Sequence, residues 1–259
     1  MRLQLISDLH LETESYEPRP APGAELLVLA GDVDSTWRGL SLFRDWPVPV
    51  LFVPGNHEYD GRDVDSARAG LHALARELGF VMLDDASLVI NDGEGRRVRF
   101  VGSTRWSDFD LFGTAQRERA MRAAGYFQRV MAATRNGQPF DAAAVRDEGL
   151  RCRDWLSEQL ALGEQGTGWD ATVVITHFAP SIQSADPRYG RQPGTASFCN
   201  DDEALLSGAR LWLHGHLHCR HDYRLHGCRV LCNARGHARK GEADGHDGQR
   251  LIEVFDEPT

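Results

Sequence analysis

A chain of 259 residues, 41% hydrophobic and 26% charged, has the make-up of a folded globular protein and enough length for one large buried core, which excludes wholesale disorder and a fibrous repeat. Its 38 acidic side chains outweigh 29 basic ones. The resulting net charge of −9 lacks the positive field of a general nucleic-acid coat, yet still permits nucleotides to be met at bound cations.

Strands and helices alternate along most of the chain. Arg2 to Ile6 and Glu25 to Ala30 read as short apolar strands, the second ending in the Gly31-Asp32 turn. Ser35 is placed to cap a helix running to Trp46, and Val48 to Val53 is the next strand, closed by Pro54-Gly55. From Asp63, the apolar positions Val64, Ala67, Leu71, Leu74, Ala75 and Leu78 recur with helical spacing, and Gly79 stands where a C-terminal cap belongs. Phe80 to Leu83, Ser87 to Ile90 and Val98 to Val101 follow as strands. Thr114 to Ala133 and Asp141 to Leu162 read as two helices split by Asn136-Gly137-Gln138-Pro139. This stretch, about residues 105–163, carries Trp106, Phe109, Phe112, Tyr126 and Phe127 and reads as an insertion within one domain spanning 1–259. Ala171 to Thr176 resumes the strand pattern, Ser181 to Asn200 is a long polar loop, and Leu211 to Leu213, Tyr223 to Leu225, Arg229 to Cys232 and Arg250 to Phe255 are closing strands.

The metal-capable side chains fall just after these strands, where loops converge on one edge of a sheet. The first strand is followed by Asp8-x-His10, the second by Asp32, and the third by Asn56-His57-Glu58. A later strand ends at His177, and another runs into Gly215-His216-x-His218. Taken singly, each has an ordinary explanation: Asp32 and Asn56 suit turns after glycine, and His177 suits a hydrogen-bonded loop. Their recurrence at successive strand ends is hard to reconcile with turn chemistry alone. The set holds carboxylate, amide and imidazole without thiolate, so it favours Mn2+, Fe or Zn2+. Seven ligands exceed the needs of one ion and suit two that share a carboxylate.

In order and spacing, these blocks resemble the calcineurin-like metallophosphoesterase superfamily, and the resemblance covers nearly the whole chain. It implies an α/β fold of two mixed β-sheets packed as a sandwich flanked by helices, with a dinuclear metal site on the strand-end loops. Asp8, His10 and His218 would hold one ion, Asn56, His177 and His216 the other, and Asp32 would bridge them, with Mn2+ favoured. His57 would be the catalytic histidine. The implied chemistry is hydrolysis of a phosphoester by a metal-bound hydroxide attacking phosphorus in line, with His57 protonating the leaving group. A small phosphodiester or nucleotide-like substrate is expected, with monoesters, nucleotide pyrophosphates and a non-catalytic scaffold as alternatives.

Two departures stand out. Many relatives carry an aspartate three residues after the bridging one to steady the catalytic histidine; here Ser35 stands there and Asp34 is one residue early. Cys232 to Gly236 resembles a Cys-Asn-Pro-Arg-Gly stretch of some bacterial members with Ala234 for proline, which makes Arg235 a candidate substrate contact beside a plain salt bridge. His237 and His246 read as polar-loop residues rather than ligands. Trp106, Phe109 and Phe112 suit a substrate cleft or the core equally. The longest apolar runs fall far short of the ~20 residues of a spanning helix, and MRLQLISDLH contains no signal-peptide core. With five cysteines and no CxxC pair, the expectation is a cytoplasmic protein with reduced thiols, acting on a small phosphoester without membrane or strong nucleic-acid partners.

Overall fold

The computed structural model describes residues 1–163 and 168–255, the side chain of Phe127 excepted. In chain order its elements are β1 (Arg2–Ile6), β2 (Leu26–Leu29), β3 (Val50–Phe52), α1 (Val64–Leu78), β4 (Val81–Met82), β5 (Ala86–Asn91) and β6 (Arg97–Ser103). There follow α2 (Arg117–Met131), β7 (Thr134–Arg135), β8 (Gln138–Pro139), α3 (Ala142–Ala161) and β9 (Ala171–Thr176). The last strands are β10 (Leu211–His214), β11 (His221–Leu225), β12 (Cys228–Cys232) and β13 (Leu251–Glu253).

Two mixed sheets pack face to face. One has the order β13-β1-β2-β3-β4, parallel except for β13. The other runs β11-β12-β10-β9-β6-β5, with a parallel centre and antiparallel edges. β2, β3, β9 and β10 are buried along their whole length, as continuous apolar runs in parallel strands covered on both faces should be. Alternation then divides their side chains. Leu3, Leu5, Val28 and Leu51 meet Phe100, Val173, Ile175 and Leu213 between the sheets. Leu27, Leu29 and Phe52 turn outward to Val64, Ala67, Leu71 and Ala75 of α1. Leu156 and Leu160 of α3 cover Val174, Trp212 and Val230 on the far sheet.

The caps of α1 stand where the sequence puts them: the Asp63 carboxylate accepts the Ser66 N–H, and Gly79 ends the helix at φ 80°. The helix expected from Ser35 to Trp46 is absent. Asp34 takes the N–H groups of Thr36 and Gly39, Trp37 is left-handed at φ 69°, and the chain forms only a 3-10 turn, Arg38–Phe43. Asn136-Gly137 proves to be more than a break. Both residues are left-handed, at 53° and 74°, and close the β7–β8 hairpin. The polar loop 181–200 contains two 3-10 turns, Ile182–Ser184 and Pro193–Ser197. All five cysteines are free. Among the described residues, no helix is long and apolar enough to cross a membrane.

Candidate metal centre and cleft

Parallel strands deliver the loops that follow them to one edge, and backbone hydrogen bonds knit those loops together. The Asp8 N–H donates to Gly31 O (3.0 Å), His10 N–H to Asp32 O (3.1 Å) and Gly215 N–H to His177 O (3.1 Å). Thirteen non-glycine residues in the described chain have positive φ, and five of them are Asp8, His10, Asp32, His216 and His218. Left-handed backbone is unfavourable for such residues and persists only where the surroundings enforce it, so the loops are bent to aim these side chains. At Gly215 a Cβ would stand 2.6 Å from Asp8 Oδ2, so only glycine lets the β10 loop pass this close.

The result is two groups of donors that share one carboxylate. Asp8, His10, Asp32 and His218 each offer an atom within 4.8 Å of the others, and so do Asp32, His177 and His216. Asp8, Asp32 and His177 are sealed from solvent. Within the first group His10 Nε2 and His218 Nε2 are 2.9 Å apart, close to the spacing of two ligands at right angles on one ion with bonds of about 2.1 Å. His177 donates from Nδ1 to Ala30 O (2.8 Å), which turns Nε2 towards Asp32 Oδ2 at 3.1 Å as the nitrogen an ion would take once its proton is displaced. His216 Nε2 faces Ser197 O at 3.0 Å, freeing its Nδ1. Asp32 Oδ2, Asn56 Oδ1 and His177 Nε2 are buried without a hydrogen bond to any described residue. Buried polar atoms are rarely left so, and Asp32 Oδ2 and His177 Nε2, 3.1 Å apart, fit a cation that would take up both groups.

Electrostatics follow from this crowding. Burial raises the Asp32 carboxyl, but His177 and His57 outweigh it and hold the group well below the usual carboxylate range. For His177, burial favours the neutral form, and Asp32 overrides it to raise the imidazole to about 9. Half-buried His216 is driven well below its ordinary value by desolvation and then by His177. Glu58 is fully buried and accepts the N–H groups of Asp32 (2.9 Å), Val33 (2.8 Å) and Gly55 (2.6 Å), tying the β2 and β3 loops together. Burial, then the charge of Asp32, lifts its carboxyl to about 7.

His57 is not steadied from position 35. Its Nδ1 lies 2.7 Å from Asp60 Oδ2, three residues on, and its backbone N–H donates to Asp32 Oδ1 (2.9 Å). Asp34, the other candidate, is spent on the Thr36 turn. Burial lowers the His57 pKa, but Asp32 and then Asp60 raise it to about 10. The spacing of His57 and Asp60 on a single turn was the available signal for this pair.

Outside the two groups the outcomes differ. Arg235 is drawn away from the cleft into a contact with Glu14 (3.4 Å) and into hydrogen bonds with the Gly236 and Ser15 carbonyls. His237 is drawn in, its ring stacked on His10 at 4.6 Å. His246 packs against Tyr16 and belongs to no donor group. Cys228 and Cys232 are packed in β12, and Cys219 Sγ meets His221 Nε2 at 2.9 Å. Asp32, Asn56, His57, His216 and His218 open into a cleft of about 860 Å3. It is also lined by Trp106, Phe109, α2, Tyr189, Arg119, Arg239 and Lys240, and by Phe178 and Phe198, whose rings lie 4.2 and 4.9 Å from that of His216. Trp106 and Phe109 thus line the cleft while being almost wholly buried, whereas Phe112 packs only against the core. The Phe127 side chain lies outside the described residues.

The description calcineurin-like phosphoesterase matches residues 1–220, and the chain belongs to that family. It is thereby a metal-dependent phosphoesterase. No curated protein matches it. Its fold is similar to that of phosphopantetheinyl hydrolase from Mycobacterium tuberculosis, with 19% identity, a TM-score of 0.74, and coverage of 99% of this chain and 96% of that one. It is also similar to a Staphylococcus aureus protein assigned as a 5'-nucleotidase, with 14% identity and a TM-score of 0.54 over 91% of this chain but only 49% of that one.

Proposed function

We propose that the protein hydrolyses a small phosphodiester or nucleotide-like ester at a pair of divalent ions, Mn2+ for preference. The observation that carries this reading is the sharing of Asp32 between two groups of metal-capable donors, each gathered within 4.8 Å. Asp8, His10 and His218 would hold one ion, and Asn56, His177 and His216 the other, with Asp32 between them. Two such ions supply charge neutralisation for the phosphoryl oxygens and an acidified water.

The protein's own groups do the rest. The buried carboxylates and imidazoles fix the phosphoryl position without reorganising during reaction. His57, held at Nδ1 by Asp60, keeps Nε2 for the leaving oxygen and carries the proton that oxygen needs. Once cations offset the charge of Asp32, Asp60 is the carboxylate that sustains that proton. No side-chain nucleophile is required. The segment 105–163, read as an insertion in one domain, and the loop 181–200 form the wall that meets the ester's organic group. That wall is largely apolar and aromatic, which favours a diester carrying a bulky group over inorganic pyrophosphate. The name of the M. tuberculosis protein adds phosphopantetheinyl esters to the compounds for assay.

The test is release of p-nitrophenol from bis-p-nitrophenyl phosphate by metal-stripped protein, with and without Mn2+ reloading. Metal-dependent release that His57→Gln abolishes while still binding two ions per chain supports the reading. Two bound ions with no release from the diester, but release from a monoester or pyrophosphate, would replace it. No release from any of these would favour a non-catalytic scaffold.

A further inference from the structure

We infer that His237 is an additional ligand of the ion held by Asp8, His10, Asp32 and His218, an inference that rests on the dinuclear reading above. The signature motifs supply no such residue. Three histidines at this corner are built alike. His10 Nδ1 is held by Glu12 (3.1 Å), His218 Nδ1 by Glu242 (2.8 Å) and His237 Nδ1 by Glu14 (3.3 Å). A carboxylate on one ring nitrogen is the usual second partner of a metal-bound imidazole, because it fixes the tautomer and strengthens the other nitrogen as a donor. In all three the nitrogen left over is Nε2.

Those rings converge. His237 stacks on His10 at 4.6 Å and 29° and meets His218 edge-on at 5.1 Å. One ring nitrogen from each lies within 4.8 Å of the other two. Two nitrogens on one ion with bonds of about 2.1 Å stand about 3.0–3.4 Å apart at right or tetrahedral angles, a spacing His10 and His218 already have at 2.9 Å, so His237 has at most about 1.8 Å to close.

The backbone is committed to the same end. The His237 N–H donates to Glu242 Oε2 (2.9 Å), the oxygen that also takes His218 Nδ1, so one carboxylate sets both rings. Glu14 in turn takes the Ala238 N–H (3.1 Å) and is braced by Arg235. Gly236, at φ 69°, lets the loop pass where a Cβ would stand 2.8 Å from His218 Cβ. A histidine that merely lined the cleft would need none of this. With a third imidazole, this ion's set becomes richer in nitrogen than its neighbour's, which shifts it towards Fe, Co2+ or Zn2+ over Mn2+.

The experiment is Co2+ titration of the metal-free protein, followed by calorimetry and visible absorption. The expected result is two Co2+ in the unmodified protein, and in His237→Phe one affinity lowered by about 10–100-fold with a changed visible band, the other being untouched. Phe keeps the ring against His10 and removes only the nitrogen. His237→Asn serves if that variant's metal-free melting curve departs from the parent's. Glu14→Gln should weaken the same ion by less. Unchanged affinities and spectra in His237→Phe would overturn the inference while leaving the dinuclear site intact. Fewer than two Co2+ in the unmodified protein would instead remove the dinuclear reading and this inference with it.

Discussion

Asp8, Asp32 and His177 are buried, Asp8 and Asp32 in left-handed backbone, and Glu58 ties the loop of Asp32 to that of Gly55. Across the same cleft, Tyr126 and Val130 of α2 and Tyr189 of the 181–200 loop are 63%, 55% and 61% exposed. The donor side must hold several charged groups to fractions of an ångström, and it does so with strain, burial and redundant hydrogen bonds. The facing side has only to present apolar surface, which tolerates looser placement because the hydrophobic effect has no direction. On the proposed function, chemistry and recognition are thus built to different tolerances within one cleft.

The two sides meet at Arg105, which is fully buried. Its guanidinium pairs with Asp202 (2.7 Å) and Asp108 (2.9 Å) and donates to the carbonyls of Trp106 and Gly149, joining β6 to α3 and to the loop at 200. Arg105→Met would leave Asp202 and much of Asp108 buried without a counter-charge. The expected loss is about 3–5 kcal/mol of stability, read by chemical denaturation. A loss under about 1 kcal/mol would mean that the halves are held by packing alone.

Next in size is a pH effect confined to the donor side. In the metal-free protein Asp32 outweighs the burial of His177 and raises its imidazole to about 9, so at neutral pH an incoming ion is expected to displace a proton. The sign follows directly: affinity rises with pH and levels off above about 9. Each displaced proton is worth tenfold per pH unit, or about a hundredfold between pH 8 and pH 6. Calorimetry in buffers of different ionisation enthalpy should register protons released on Mn2+ binding at pH 7. No release would mean that His177 is neutral before the ion arrives.

How much of this was legible in the sequence follows the same division. β1 and β9 were readable to the residue, since an apolar run ending in a metal-capable turn has few other interpretations. All the residues of the two donor groups lie in strand-end motifs, because metal-capable side chains can be read from residue type and place along the chain. What escaped was what those types leave free. Asp60 replaces the partner expected at position 35, because a carboxylate can reach His57 Nδ1 from either loop. The Glu14, Glu242 and His237 cluster is assembled across more than 220 residues of separation, for which no local pattern exists. The missing helix after Ser35 shows local chemistry overriding propensity, as Asp34 offers the backbone a turn instead.

Asp60 gives the third test. Asp60→Asn keeps the shape but removes the charge that holds the His57 proton once cations have neutralised Asp32. A fall in kcat of about 10–100-fold with KM and metal content unchanged is expected, since partners of this kind are usually worth that much. An unchanged kcat would show that His57 keeps its tautomer and proton without Asp60.

The smallest effect belongs to the facing wall. Tyr126→Ala and Val130→Ala remove exposed side chains from α2, so stability should stay within about 0.5 kcal/mol. If the wall only holds the organic part of the ester, it binds ground state and transition state alike. KM should then rise while kcat holds. The rise should be a modest ~3–10-fold per substitution, because a side chain on an open wall yields only part of the free energy of full burial. A bulky aryl diester should feel it more than methyl p-nitrophenyl phosphate, whose small alcohol cannot reach α2. A drop in kcat with both substrates would break the division drawn here, because it would mean that α2 helps to set the phosphoryl position and belongs to the donor side's tolerance rather than its own.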